Sequence, residues 1–186
     1  MGLDGLTELP EGDGHPVIIF PGPAGDERAL LPVRNCCEAL GYAVYDWEQG
    51  FNTGSQDDMD DWLDNLAEHV GGVAALHGRR VSLVGWGLGG LHAREVALRR
   101  APLVRQVLTL GTPFVDDQLA RRLRTTPPVP ATSICRRTDG VVACQTCLLD
   151  GRCRSAYVEV DGSRNGLQAM LRLIAQQLSR PEEAWR

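Results

Sequence analysis

The chain has 186 residues, of which 43% are hydrophobic and 23% charged, and this fits one compact domain of about 100–200 residues. Its 24 acidic residues outnumber its 19 basic ones and give a net charge of −5, so no basic surface for nucleic acid is expected. All 19 basic residues are arginines, which excludes a Schiff-base lysine and a phosphate-loop lysine and suggests a GC-rich bacterial gene.

The amino terminus is acidic and rich in glycine, without the basic segment and apolar core of a secretory signal. No apolar run approaches the length of a membrane span. The sequence therefore predicts a flexible tail over residues 1–15 and a single cytoplasmic domain over residues 16–186, with no membrane partner.

Short apolar runs alternate with segments of helical spacing along this domain. Strands are predicted at residues 17–20, 42–47, 81–84, 104–110, 131–137 and 157–160, and helices at residues 26–40, 57–77, 89–100 and 167–179. This alternation is typical of a parallel sheet with helices on both faces. The predicted fold class is therefore α/β, with a mainly parallel six-stranded sheet.

The segment VSLVGWGLGGLHARE, residues 81–95, predicts a buried strand that enters a helix through a glycine-rich turn. Such a strand–turn–helix is the setting of a nucleophile elbow, G-x-S-x-G, whose turn is too tight for large side chains beside the serine. The matching residues here are GWGLG at 85–89. Gly87 therefore stands where the serine is expected.

On these motifs the chain resembles the small, lidless α/β-hydrolases of the bacterial esterase and lipase type, from about Pro16 to the carboxyl terminus. The likeness also includes the segments PVIIFPGPAGD, GYAVYDW, GFNTG, LTLGTPF, RTDGVV and VEVDGSRNGL. The resemblance implies an α/β-hydrolase-like domain without a large lid. We expect neither a cofactor nor a metal.

In such hydrolases the catalytic triad follows in the order Ser, Asp, His. Asp139 matches the acid, whereas Arg164, in the turn GSRNG, stands where the histidine is expected. Of the two backbone donors of the oxyanion hole, Leu88 can supply one; if the second maps to the residue after Gly22, it is Pro23, which has no N–H. Arginine is no base near neutral pH and glycine is no nucleophile. The resemblance thus implies a pseudo-hydrolase, and residual esterase or lipase activity is the less favoured alternative.

Other serines and histidines offer no convincing substitute for the missing groups. Ser82 is expected to be a buried hydroxyl bonded to backbone, and Ser163 has no adjacent base in the sequence. His92 lies either at a pocket rim or against a neighbouring loop. The remaining histidines are expected in the tail or on the surface: His15, His69 and His77.

The cysteines at positions 135, 144, 147 and 153 contain one C-x-x-C, whereas a zinc signature repeats that pair. A metal site, a local disulfide involving Cys147 and free thiols all stay open, and at least one of Cys36 and Cys37 is expected in the core. The aspartates between positions 57 and 64 favour a solvated helix start over a calcium loop.

A ligand pocket is expected beyond the carboxyl ends of the strands. Its expected substrate-binding residues are Gly22, Pro23, Asn52, Trp86, Gly87, Leu88 and Phe114, with Asp139 and Arg164 as the catalytic candidates. Arg164 either neutralises Asp139 or orients an anionic or polarised substrate. We expect a cyclisation, isomerisation or elimination on a small apolar metabolite; the alternative is a non-catalytic ligand-binding or accessory protein. A homodimer is compatible with both.

Overall fold

The computed structural model describes residues 9–22, 27–48, 59–112, 127–136, 155–160 and 166–181. Strands and helices alternate along these residues. The strands are β1 Pro16–Phe20, β2 Ala43–Asp46, β3 Val81–Trp86, β4 Val104–Leu110, β5 Ala131–Arg136 and β6 Ser155–Val160. The helices are α1 Glu27–Ala39, α2 Met59–His77, α3 Leu88–Arg99 and α4 Gly166–Leu178, with a short 3₁₀ helix at Ala101–Leu103.

The strands form one parallel sheet in the order β2-β1-β3-β4-β5-β6. Because all the strands run in the same direction, their carboxyl ends meet at a single edge of the sheet. We call this the carboxyl edge and the opposite one the amino edge. Within the described residues no element forms a lid domain over the carboxyl edge.

Helices cover both faces of the sheet, as the alternation of elements predicted. Along β1, Ile18 and Phe20 pack with α2 and α3 on one face. Val17 and Ile19 pack with α1 and α4 on the other face. A strand covered on both sides reads as a continuous apolar run rather than an alternating one, which explains the sequence of β1.

Residues 9–15, which we call the amino-terminal strap, lie against the amino edge. The Gly12 amide donates to the Leu40 carbonyl over 2.7 Å, and a Cβ on Gly12 would lie 2.7 Å from the ring of Tyr42. His15 is completely buried. The expectation that His15 lies in a tail or on the surface is therefore wrong, since the strap brings it into the polar interior beside β3.

Candidate functional site at the carboxyl edge

A single residue, Gly87, connects β3 to α3 at a sharp reversal of the backbone. It has φ 53° and ψ −125°, a combination that residues with a Cβ adopt only under strain. Its amide donates to the carbonyl of Leu110, at the end of β4, over 2.9 Å, and its carbonyl accepts from the Gly90 amide over 3.1 Å. The turn has the setting of a nucleophile elbow, with a residue lacking a side chain at its vertex.

Three glycines beside the vertex are required by close approaches of the backbone. A Cβ on Gly85 would lie 2.4 Å from the Cα of Gly90, and one on Gly89 would lie 2.3 Å from the carbonyl oxygen of Phe20. A Cβ on Gly90 would lie 2.0 Å from Oγ1 of Thr112. The glycine spacing in the sequence therefore reflects the packing of α3 against the ends of β1, β3 and β4.

The amino end of α3 presents hydrogen-bond donors at the vertex. The first N–H groups of a helix have no acceptor inside the helix, and α3 begins at Leu88. The aligned peptide dipoles also give this end a partial positive charge, and its first turn contains no acidic residue. An anionic or strongly polarised oxygen of a ligand is favoured at this position.

The structure brings together four of the predicted pocket residues. Trp86, Gly87 and Leu88 are partly exposed around the vertex. Gly22, just after β1, lies close to Trp86: a Cβ added at Gly22 would be 3.3 Å from the indole Cδ1. The other predicted site residues lie outside the described residues: Pro23, Asn52, Phe114, Asp139 and Arg164.

The strands that lead to Asp139 and Arg164 are neighbours. Arg136 and Val160, the last residues of β5 and β6, are paired in register. Asp139 follows β5 by three residues and Arg164 follows β6 by four, which limits their backbone distance from the strand ends to about 10 and about 14 Å. Adjacent strands are separated by about 4.8 Å. The ends of β5 and β6, from which the chain continues towards Asp139 and Arg164, therefore lie side by side at the carboxyl edge.

His92, one turn after Leu88, is only 3% exposed. Its ring meets Trp62 edge to face with centroids 4.7 Å apart and stacks on Trp47 at 6.3 Å. Burial lowers the pKa of His92 to about 4, so the imidazole is neutral at neutral pH. Its Nδ1 has no hydrogen-bond partner within the described ranges. His92 belongs to an aromatic cluster under α3 and not to an exposed pocket rim.

A chain of hydrogen bonds with triad residue types lies at the amino edge, and sequence reasoning missed it. His15 Nε2 is 2.8 Å from Ser82 Oγ, and His15 Nδ1 bonds Asp13 Oδ1. Ser82 is buried as predicted, but its hydroxyl contacts this imidazole. His15 and Ser82 are separated by 67 positions in the sequence, so no local sequence motif predicts their contact. The chain lies at the opposite end of β3 from Gly87.

The hydrogen-bond chain at the amino edge cannot act as a catalytic triad. Ser82 and His15 are both completely buried, so no substrate can reach the hydroxyl. The strap that covers this edge also supplies Asp13 and His15. Any opening of the strap that exposed Ser82 would therefore remove its base.

Cysteine and acidic clusters add no reactive group in the described part of the chain. Cys36 and Cys37 are both free and buried, and burial raises the pKa of the Cys37 thiol to about 12. Asp60 and Asp64 pair with Arg99 over 2.7 and 2.6 Å at the start of α2. Across the described ranges, no group of three or more His, Cys, Asp or Glu residues is placed to hold a metal ion.

No protein-family model matches the chain, and no curated protein matches its sequence. Solved structures do match its fold. They include a monoacylglycerol lipase from Paleococcus ferrophilus, with a TM-score of 0.68 at 10% identity, covering 92% of this chain and 96% of that one. A mature lipase from Bacillus licheniformis matches with a TM-score of 0.69 at 15% identity, covering 93% and 95%.

A soluble variant of monoglyceride lipase from Saccharomyces cerevisiae matches with a TM-score of 0.70 at 8% identity, covering 91% of this chain and 88% of that one. Identities this low establish the fold and nothing finer. The chain has the α/β-hydrolase fold. None of the helices in its described segments is long and apolar enough to cross a membrane.

Proposed function

We propose that this α/β-hydrolase-fold protein does not hydrolyse substrates with a catalytic triad. It uses the elbow region for non-hydrolytic chemistry on a small, largely apolar molecule. The observation that carries this proposal is the backbone of Gly87, which has φ 53° and ψ −125° at the vertex of an otherwise complete elbow. A nucleophile is missing at the vertex, whereas the turn that would hold it is present. The reaction class is a cyclisation, an isomerisation or an elimination, none of which needs a covalent intermediate.

The amino end of α3 supplies the electrostatic part of this proposal. A carbonyl oxygen that gains negative charge, as in an enolate, accepts hydrogen bonds from the N–H groups at Leu88. Trp86 and Leu88 provide apolar surface beside it. Because Gly87 has no side chain, a ligand can approach the backbone donors more closely than it could beside a serine.

Asp139 and Arg164 have complementary roles in the proposal. Arg164 stays protonated at every physiological pH and cannot remove a proton. It either neutralises Asp139 or binds an anionic group of the ligand. In the second case a buried Asp139 is available to exchange a proton with the ligand.

Binding without chemistry is the second candidate function, and the placement of the histidines favours it. His15 lies at the opposite edge of the sheet, and His92 is buried between tryptophans. Neither of them can serve as a general base at the vertex. A ligand carrier or accessory subunit would need only the pocket.

Replacing the backbone donor at Leu88 tests the proposed site. Leu88 is the first residue of α3, where proline is well tolerated, so Leu88→Pro removes the N–H and preserves the helix. Leu88→Ala is the matched control, because it shortens the side chain and keeps the donor. The probe is 4-nitrophenolate, an oxyanion on an apolar ring, followed by its visible absorption.

We expect Leu88→Pro to weaken phenolate binding by about 10- to 100-fold, as the loss of a hydrogen bond to a charged group does. Leu88→Ala should change it far less. Equal affinities in wild type and Leu88→Pro would overturn the proposed site. Turnover of a molecule that copurifies with the protein, identified by native mass spectrometry, would support catalysis. Binding without turnover would support the second candidate.

A further inference from the structure

The amino-terminal strap is held mainly by one carboxylate, Asp13. Its Oδ2 accepts hydrogen bonds from Arg79 and Arg105, each at 2.8 Å. Its Oδ1 accepts from the ring and the backbone amide of His15, and its backbone carbonyl accepts from Arg79 at 2.6 Å. Asp13 thus joins the strap to β4 and to the turn after α2.

Arg105 extends this network to the carboxyl-terminal end of α4. This guanidinium is only 7% exposed. One of its nitrogens donates to Asp13, and another donates to the carbonyl of Arg180 over 2.9 Å. A single buried cation therefore fastens both terminal segments to the amino edge of the sheet.

The network is arranged for a neutral His15. The imidazole is completely buried and faces Asp13 on the strap, Arg79 after α2, Arg105 on β4, Ser82 on β3 and the ring of Tyr42 before β2. The Ser82 hydroxyl also accepts a hydrogen bond from Gln106 on β4. Tyr42 is neutral, since burial raises its pKa to about 12. A proton on His15 would place a third positive charge beside one carboxylate.

The charges around His15 support this arrangement. The pKa of His15 is lowered to about 4, mainly by burial; Arg105 and Arg79 also lower it, and Asp13 opposes them. Partial burial alone would raise the pKa of Asp13, but its hydrogen bonds to Arg105 and His15 hold it well below its usual range. Both groups therefore keep their closed-state charges until the solution is distinctly acidic.

We propose that Asp13, His15 and Arg105 form an acid-sensitive latch, which holds the strap on the amino edge while His15 is neutral and releases it before the sheet unfolds. Release affects the edge opposite to the elbow, so the latch is independent of the proposed function. Outside this network the strap is also held by the bond from the Gly12 amide to Leu40, by the Ala43 amide, which donates to the His15 carbonyl over 3.4 Å, and by the partial burial of Leu9 against the core.

Hydrogen exchange measured by NMR tests the latch. The reporters are the Gly12 and His15 amides, which bond Leu40 and Asp13, and the reference amides are those of β3 and β4. Between pH 7 and pH 4 we expect protection at the two reporters, corrected for intrinsic exchange, to fall at least about tenfold while the reference amides keep theirs. The latch would be overturned if protection at the two reporter amides did not change with pH. It would also be overturned if the reporter and reference amides lost protection to the same extent.

Variants separate the latch from general acid sensitivity. Asp13→Asn should reduce reporter protection at pH 7 to the level that the wild type shows at pH 4, and a closed strap in this variant contradicts the proposal. Its control is Asp46→Asn, which removes an exposed carboxylate paired with Arg34. His15→Asn cannot take a proton and should abolish the change with pH, whereas His92→Phe should retain it. If His15→Asn does not fold, Asp13→Asn and His92→Phe still decide the outcome.

Discussion

The Nε2 atom of His15 lies 2.8 Å from Oγ of Ser82, at the end of β3 that is farthest from Gly87. The strand thus begins beside a serine with an imidazole partner and ends at a vertex with no side chain. A hydrogen bond between a serine and an imidazole does not by itself make the serine catalytic. A substrate must also be able to reach the residue. Ser82 is completely buried, whereas Gly87 is partly exposed.

The elbow glycines should be intolerant of a methyl group to different degrees. We expect Gly89→Ala to lower the free energy of unfolding by about 3 kcal/mol, because its Cβ would strike the backbone oxygens of Phe20 and Pro21. Gly90→Ala should cost less, about 1–2 kcal/mol, because Thr112 can rotate away. Urea denaturation measures both.

Gly72→Ala is the matched control for these substitutions. Gly72 lies in α2 and is exposed, and a Cβ there would meet nothing within 4 Å. The substitution should stabilise the protein by about 0.5–1 kcal/mol, because alanine is the better helix former. If Gly89→Ala were as stable as Gly72→Ala, the close approach of α3 to β1 would be refuted.

Restoring a serine at the vertex should not restore hydrolysis. Gly87→Ser places a Cβ at φ 53° and ψ −125° and should cost of the order of 1–3 kcal/mol of stability. The double change Gly87→Ser with Arg164→His should still hydrolyse 4-nitrophenyl butyrate no faster than the matched control Gly72→Ser with Arg164→His. The expected reason is that Pro23, if it stands at the position of the second oxyanion donor, has no N–H to donate.

A fluorophosphonate probe provides a second readout of the same chemistry. The wild-type protein should stay unlabelled, because its Gly87 offers no hydroxyl and its Ser82 is inaccessible. Intact-protein mass spectrometry measures the label. Stoichiometric labelling of the wild type would show that a nucleophile has been overlooked.

Stability should fall with acid between about pH 6.5 and pH 4. Burial lowers the pKa values of His15 and His92 from 6.5 to about 4. In this range the unfolded chain binds more protons than the folded protein, so the free energy of unfolding decreases as the pH falls. Each histidine contributes a slope of up to about 1.4 kcal/mol per pH unit.

Substituting one histidine at a time tests this slope. Denaturation of His92→Phe at several pH values should give about half the wild-type slope, because the contribution of His92 is lost and that of His15 remains. Gly72→Ala, which changes no ionisable group and lies on the exposed side of α2, provides the control and should keep the full slope. A wild-type stability that is constant from pH 7 to pH 5 would contradict the prediction.

Asp139 and Arg164 can be assigned separately by substitution. If Arg164 binds an anionic ligand group, Arg164→Ala should weaken ligand binding by about 10- to 100-fold. Should Asp139 transfer a proton, Asp139→Asn would lower turnover by about 10²- to 10⁴-fold and leave binding unchanged. Calorimetry and a turnover assay distinguish the two effects, and no change in either variant would remove the pair from the proposed function.

The sequence by itself determined the order of strands and helices and the position of the elbow. Apolar runs bounded by glycine and proline placed β1, β3 and β4 to within two residues, because each strand is buried on both faces and reads as one continuous apolar segment. The glycines at 85, 89 and 90 also predicted the tight turn, because the close approach of neighbouring atoms leaves no room for a Cβ at these positions. These are local requirements, and local sequence expresses them.

Tertiary structure alone decided the environments of the histidines. The sequence predicted His15 in the tail or on the surface and His92 at a pocket rim or against a loop, but the strap buries His15 at the amino edge, and His92 is buried between Trp47, which follows β2, and Trp62 of α2. Arg105 likewise joins Asp13 and Arg180, which are separated by most of the chain. Such contacts depend on which distant segments the order of strands in the sheet brings together. The local sequence does not reveal them, because a polar side chain needs a buried hydrogen-bond partner only once the chain has folded.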